Sequence, residues 1–313
     1  MEDELARVEE EIARMAVSEF GALDEVGDHL LSTEGKLFRP SLVLLASRVS
    51  GPVPDGAVRM AAVVELVHLA TLVHDDAVDH SVRRRGMPTV NSVWTHQVAV
   101  IMGDYLYSRA VTEMTELDDM EAVRILAEAA NRMTVGEMRQ LTSHEALDFS
   151  EEDYEELCRC KTASLISAAC ELGARLGSPG HAASLRAYGH DLGMAFQMAD
   201  DVLDYTASSS ETGKPRGQDL REHKVTLPLI SVLPDLSGAE REEVEALFGD
   251  PEPEDGRVAR VIEIVEEHGG VEYARDRARD HAAGAREHLA ELPDGPALRS
   301  LQGAVEYVVR RRR

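Results

Sequence analysis

The sequence predicts an all-α protein, a single-domain helical bundle. Three observations carry this. Apolar residues recur every three to five positions along most of the chain, runs of alternating β-branched residues are absent, and the periodic stretches break where Gly and Pro gather. Of the 313 residues, 43% are hydrophobic and only 4% aromatic, so a sizeable core is within reach and must be packed from aliphatic side chains and alanine. No internal repeat of solenoid period is visible.

The elements follow in order. Leu5, Val8, Ile12, Met15 and Phe20 form one apolar stripe, which predicts an N-terminal helix. Similar patterns predict helices within 58–80, 92–117, 121–145, 151–177, 181–206, 225–233, 257–268 and 271–291. Gly51-Pro52-Val53-Pro54 and Gly177-Ser178-Pro179-Gly180 separate helices. Residues 207–218 are a polar loop of the kind that carries function, and 249–256 an acidic surface turn. None of these has the character of a domain linker, so residues 1–313 read as one domain.

The formal net charge of −25 argues against nucleic acid and anionic lipid as partners. Only four of the 33 basic residues are lysines: Lys36, Lys161, Lys214 and Lys224. An acidic, Lys-poor surface is expected of a salt-rich cytoplasm; stability indifferent to KCl would argue against that origin. Cys158, Cys160 and Cys170 are an odd, clustered trio, expected to be free thiols in a reducing cytosol. Met1-Glu2-Asp3-Glu4 lacks the basic region of a secretory signal. The most apolar stretch, 61–73, is interrupted by Glu65 and His68, so no membrane-spanning segment is expected and the protein reads as cytoplasmic.

Two acidic motifs stand out. Residues 74–79 read His-Asp-Asp-Ala-Val-Asp, with Asp75 and Asp79 on one helix face and Asp76 turned about 100° away. The second, FQMADDVLDY at 196–205, repeats the spacing with Asp200, Asp201 and Asp204. Each follows an apolar helical stretch, where clustered carboxylates are costly unless a cation meets them. Hard oxygen ligands with open positions suit Mg²⁺, which binds through one or two carboxylates plus substrate phosphates. If the two helices face each other, six carboxylates line one cavity, and diphosphate is the natural anion for its metals. The lysines supply the complement: Lys36 in EGKLFRP with Arg39, Lys161 before Thr162, Lys214 in TGKPRG, Lys224 in EHKVTLP, and Arg83-Arg84-Arg85 after the first acidic motif.

From about residue 34 to 230 the chain resembles the polyprenyl synthetase family, the trans-isoprenyl diphosphate synthases. The resemblance rests on ELVHLATLVHDDAVD followed by RRG, then KTA, FQMADDVLDY, GKPRGQDL and KVTLPL in that order. It implies an isoprenoid-synthase bundle around a deep central cavity, working as a homodimer. It implies Mg²⁺ on Asp75, Asp79 and Asp200, with Asp76, Asp201 and Asp204 in support. Lys36, Arg39, His68 and Arg85 would hold isopentenyl diphosphate. Arg84, Lys161, Thr162, Lys214 and Lys224 would hold the allylic diphosphate, with Gln197 near the carbocation. One departure stands out: where the family shows GGKRxRP, this chain has Glu34 and Leu37 in place of a Gly and an Arg.

The implied chemistry is ionisation of the allylic diphosphate, attack by the isopentenyl double bond, and proton loss to the released diphosphate. In the family, bulk just before the first motif caps the product. Here Thr71 and Ala70 are small, with Val67 and Val63 next along the face, which favours a product longer than C20. Met102 or Tyr105 from a neighbouring helix could still close the tunnel. The alternatives are a C20 geranylgeranyl diphosphate synthase, a non-catalytic partner subunit of a prenyltransferase, and a terpene cyclase, which FQMADDVLDY does not match. The C-terminal run Arg310 to Arg313 reads first as basic residues at a helix C-terminus, and second as a tail folding over the diphosphate site.

Overall fold

The computed structural model describes residues 1–32, 35–84, 86–142, 146–206 and 216–311. Helices make up 79% of it, the all-α class that the periodicity predicts. Among the described residues the strands amount to one two-residue ladder, Arg83–Arg84 antiparallel to Met87–Pro88. The chain folds as two compact units.

The first unit comprises residues 1–130, 165–189 and 291–301. Its centre is the helix Asp55–Val78, packed against Glu2–Ala16, Phe38–Ser47 and His96–Thr115. Ala61 through Val64, Leu66 and Val67 have no exposure at all, as expected of a helix apolar on every side. This helix corrects one sequence expectation. It is 24 residues long and, by length and composition, apolar enough to cross a membrane, because Glu65 and His68 lower its mean hydropathy too little; 67% of its most apolar window is nevertheless buried in the fold. Around it, Arg14, Arg59 and Arg109 converge on the buried Glu113, tying three helices together; hydrogen bonds from Arg14 lead the effects that hold that carboxyl below its ordinary range.

Val8, Ile12 and Met15 are buried as the first stripe requires. Phe20 is not on it. The helix ends at Ala16, Val17 is extended, and Phe20 becomes the 67% exposed N-cap of the next helix, Gly21–Leu31. Phe38–Ser47 and Gly238–Phe248 likewise lie outside the stretches read as periodic.

The second unit comprises residues 131–164, 190–290 and 302–313. Its core gathers Tyr154, Met194, Met198, Tyr205, Leu227 and Leu247. The helix Glu151–Cys158 starts from a capping box of Ser150 and Asp153 and runs into a π-helical turn, Arg159–Ala163. The stretch 151–177 is therefore continuous, as the periodicity predicts, but one turn of it is underwound. π-turns concentrate at functional sites, and this one carries Lys161 and Thr162. Two glycines make room for it. A Cβ on Gly136 would lie 2.8 Å from Cys160 Cβ, and one on Gly193 would lie 2.6 Å from Ala163 Cα. All three cysteines are free and buried.

Candidate active site

The first acidic motif sits where Asp55–Val78 ends. Asp79 caps that helix and its N–H still reaches the Asp75 carbonyl at 2.8 Å, so Asp75 and Asp79 stay one turn apart on one face. His80, at φ 51°, then turns the chain into the left-handed region and stops the helix. His74 anchors the turn from below. Its Nε2 lies 3.1 Å from the Val100 carbonyl, in space left by Gly103, whose Cβ would fall 2.2 Å from that nitrogen.

The three carboxylates then diverge. Asp76 is 7% exposed and accepts from Arg84 through both Nε and Nη2 at 2.9 Å. The hairpin 83–88, turning at Gly86 with φ 81°, delivers that arginine. Asp75 is partly buried and Asp79 exposed. Thus Arg84, expected at the allylic diphosphate, is already engaged by a carboxylate of the first motif.

Elsewhere in this unit, Lys36 is exposed and Arg39 partly buried, at the start of Phe38–Ser47. Leu37, the departure from the family motif, sits between them in the left-handed region at φ 45°. His68 is partly buried, and Thr71 donates from Oγ1 to the His68 carbonyl at 2.8 Å. Ala70, Val67 and Val63 are buried. Of the neighbours considered as plugs, Met102 is buried against Gly27, and Tyr105 donates its hydroxyl to the Val17 carbonyl at 2.7 Å. Arg85 and Glu34 lie outside the described residues.

The second motif, on Ala182–Thr206 in the second unit, divides its labour in the same way. Asp201 is 4% exposed; it accepts from Tyr154 Oη at 2.5 Å and from Gln197 Nε2 at 2.8 Å. Asp204 accepts the backbone N–H groups of Gln218 and Asp219 at 3.0 and 3.1 Å, fixing the GQDL segment. Asp200 remains half exposed, paired with Arg311 at 3.0 Å. Burial, reinforced by Asp200 and Asp204, pushes the Asp201 carboxyl up to about 7, against the pull of its two hydrogen bonds. Asp219, partly buried alongside, is pushed up by desolvation and by Asp201 and Asp204.

Around this motif stand the expected cations. Lys161 donates to Gln140 Oε1 at 3.0 Å and forms a short ion pair with Glu137. Thr162 donates to Gln197 Oε1 at 2.6 Å. Lys224 pairs with Glu222 at 2.8 Å. Lys214 lies outside the described residues. At the C-terminus, the dipole reading fits Arg310, which is exposed on the last turn of Pro296–Arg310. It does not fit Arg311, which folds onto the second motif with its guanidinium 4.5 Å over the Phe196 ring. Three residues here escaped the sequence reading: Gly103, Tyr154 and Asp219. For Tyr154 a signal existed, a tyrosine two helical turns before Lys161.

Each motif therefore buries one carboxylate and leaves others more exposed. Among the described residues no three His, Cys, Asp or Glu side chains form a ready-made metal cage. Outward carboxylates without a closed cage suit a hard cation that keeps part of its shell for phosphate oxygens.

The fold is all-α, with one acidic motif in each of its two units. Residues 21–265 match the polyprenyl synthetase family. The chain is 37% identical to a short chain isoprenyl diphosphate synthase of Methanothermobacter thermautotrophicus, covering 91% of this chain and 89% of that one. It is also 37% identical to the heptaprenyl diphosphate synthase component 2 of Geobacillus stearothermophilus, covering 99% and 97%. Among solved structures, a decaprenyl diphosphate synthase from Rhodobacter capsulatus superposes with a TM-score of 0.93 at 38% identity, covering 99% of this chain and 97% of that one. A polyprenyl synthase from Caulobacter crescentus, complexed with calcium and isoprenyl diphosphate, gives 0.94 at 35%, covering 100% and 96%. The chain belongs to the polyprenyl synthetase family and is a prenyltransferase.

Proposed function

We propose that the protein condenses isopentenyl diphosphate head-to-tail with an allylic diphosphate to give an all-trans product longer than C20. The observation that carries the reading is the division within each acidic motif. Asp76 and Asp201 are buried and Asp204 accepts the backbone of Gln218 and Asp219, while Asp75 is partly buried, Asp79 exposed and Asp200 half exposed. Those three are the proposed Mg²⁺ ligands. The metal, when bound, neutralises the diphosphate and weakens the allylic C–O bond.

The chain's own residues do the rest. Lys161 and Lys224, with Arg84 and Lys214, offer donors to the departing diphosphate, whose charge rises as the bond breaks. Lys36, Arg39, His68 and Arg85 orient isopentenyl diphosphate so that its double bond meets the allylic carbon. Thr162 and Gln197 present oxygens near the cation. The proton lost from the new bond passes to the released diphosphate, so no dedicated base is needed. The small, buried Ala70 and Val67, with Thr71, support an open floor and hence a long product. Relatives named for heptaprenyl and decaprenyl products agree with that, and the short-chain relative is the counterweight.

We take the working form to be a cytoplasmic homodimer. Val93, Val100, Ile101 and Val111 expose an apolar face at and along His96–Thr115, which a second copy would cover. A two-component assembly is the second reading, raised by the relative named as a component.

The test is turnover of isopentenyl diphosphate with a series of allylic primers, product length being read by mass spectrometry. Asp75→Ala and Asp200→Ala should each abolish product; near-normal turnover in either would refute the ligand assignment. Product from the purified chain alone would exclude the two-component reading.

A further inference from the structure

A chain of hydrogen bonds runs through the second unit from Tyr154 to Thr162, and with Asp201 ionised its direction is dictated at one end. Once ionised, the Asp201 carboxylate can only accept. Tyr154, itself fully buried, donates to Oδ2 at 2.5 Å, and Gln197 donates Nε2 to Oδ1 at 2.8 Å. With its nitrogen committed to Asp201, Gln197 must turn Oε1 toward Thr162. The Thr162 hydroxyl, 2.6 Å away, must therefore donate. Its lone pairs, not its proton, are left for whatever lies beyond. The thiol of Cys158, one turn after Tyr154, is the phenol's other polar neighbour. Gly136 and Gly193 hold the π-turn bearing Thr162 at the distance the chain needs.

We propose that Tyr154 is a positioning residue for the condensation: by holding Asp201 it fixes the amide of Gln197 and so the direction of the Thr162 hydroxyl beside the allylic cation. The assignment of Thr162 and Gln197 to the reacting centre rests on the function proposed above; the relay itself does not. An acceptor next to a developing cation favours the transition state, whereas a hydroxyl free to rotate also presents its proton. Tyr154 touches no substrate. Its influence passes wholly through Asp201.

Tyr154→Phe keeps the ring and deletes the donor. Two readouts test it. First, the side-chain amide protons of Gln197, assigned by their loss in Gln197→Glu, should exchange slowly in the wild type and at least about tenfold faster in the variant. Second, kcat should fall about tenfold while KM for both diphosphates and for Mg²⁺ stays within about twofold. Adding Thr162→Val to Tyr154→Phe should then bring no more loss than Thr162→Val alone, because both act on one hydroxyl. Unchanged Gln197 exchange, unchanged kcat, or losses that multiply independently would each overturn the proposal. Should Tyr154→Phe fail to fold, Asp201→Ala removes the acceptor of the Gln197 amide and should loosen it in the same way. A wild-type chain that makes no prenyl diphosphate from any primer would sink the functional reading alone, and the amide exchange would still decide the relay.

Discussion

Gly193→Ala sets two known effects against each other at the turn that carries Lys161 and Thr162. Gly193 lies inside the helix Ala182–Thr206. In an open helical position, alanine in place of glycine gains about 1 kcal/mol. Here the new Cβ would lie 2.6 Å from Ala163 Cα and 3.0 Å from Ala163 Cβ, where ordinary contact begins at 3.4 Å. The turn must retreat by about 1 Å, and overpacking of that kind costs about 1–3 kcal/mol. The net expectation is destabilisation by about 1 kcal/mol, read as a melting temperature lower by roughly 2 °C. Displacing Thr162 and Lys161 by about 1 Å should also lower kcat by roughly 10- to 100-fold. Gly303→Ala, in the helix Pro296–Arg310 with nothing within 4 Å, is the control and should raise the melting temperature. Thermal unfolding and steady-state kinetics on both variants decide the matter. If Gly193→Ala stabilises as much as Gly303→Ala and leaves kcat alone, the packing argument for the π-turn is wrong.

The remaining expectations concern the floor, the tail and pH. Ala70→Phe fills a buried position one turn below Asp75 and should shorten the product by one or more isoprene units in mass spectra; an unchanged length would mean this face is not the floor. Arg311→Ala removes the partner of Asp200 and should lower the Mg²⁺ concentration for half-maximal activity about threefold, as expected for a partly exposed ion pair; no change would show that Arg311 does not compete for that carboxylate. Because Asp201 titrates near 7 when folded and at the ordinary carboxylate value of about 4 when unfolded, the folded chain keeps a proton that the unfolded chain releases. Stability should therefore fall as pH rises from about 4 to about 7, and Asp201→Asn should flatten that slope in denaturant titrations. An identical slope in the variant would assign the effect elsewhere.

Much of this was legible in the residues. Most helices between Asp55–Val78 and Gly270–Glu287 were legible, because a helix that must bury one face or all faces writes that need into its apolar residues. The paired DDxxD spacing and the sparse lysines pointed to the same chemistry as the family match. Phe20 escaped because periodicity cannot tell that a helix has already stopped. The division within each motif came from the family resemblance and not from spacing: three carboxylates one and four apart are equivalent by pattern, and their neighbours distinguish them. Arg84 reaches Asp76 through a hairpin, Tyr154 reaches Asp201 from 47 residues away, and the GQDL backbone claims Asp204. Arg311 meets Asp200 across more than a hundred residues.

The sequence by itself thus determined the fold class, the family and the inventory of charged groups, all of which depend on local pattern and composition. Tertiary structure alone decided which carboxylates stay outward, which way the Thr162 hydroxyl points and how closely helices approach the π-turn. Those outcomes turn on burial and on donors brought from distant segments, since a carboxylate's freedom to bind a cation depends on which hydrogen bonds it already accepts.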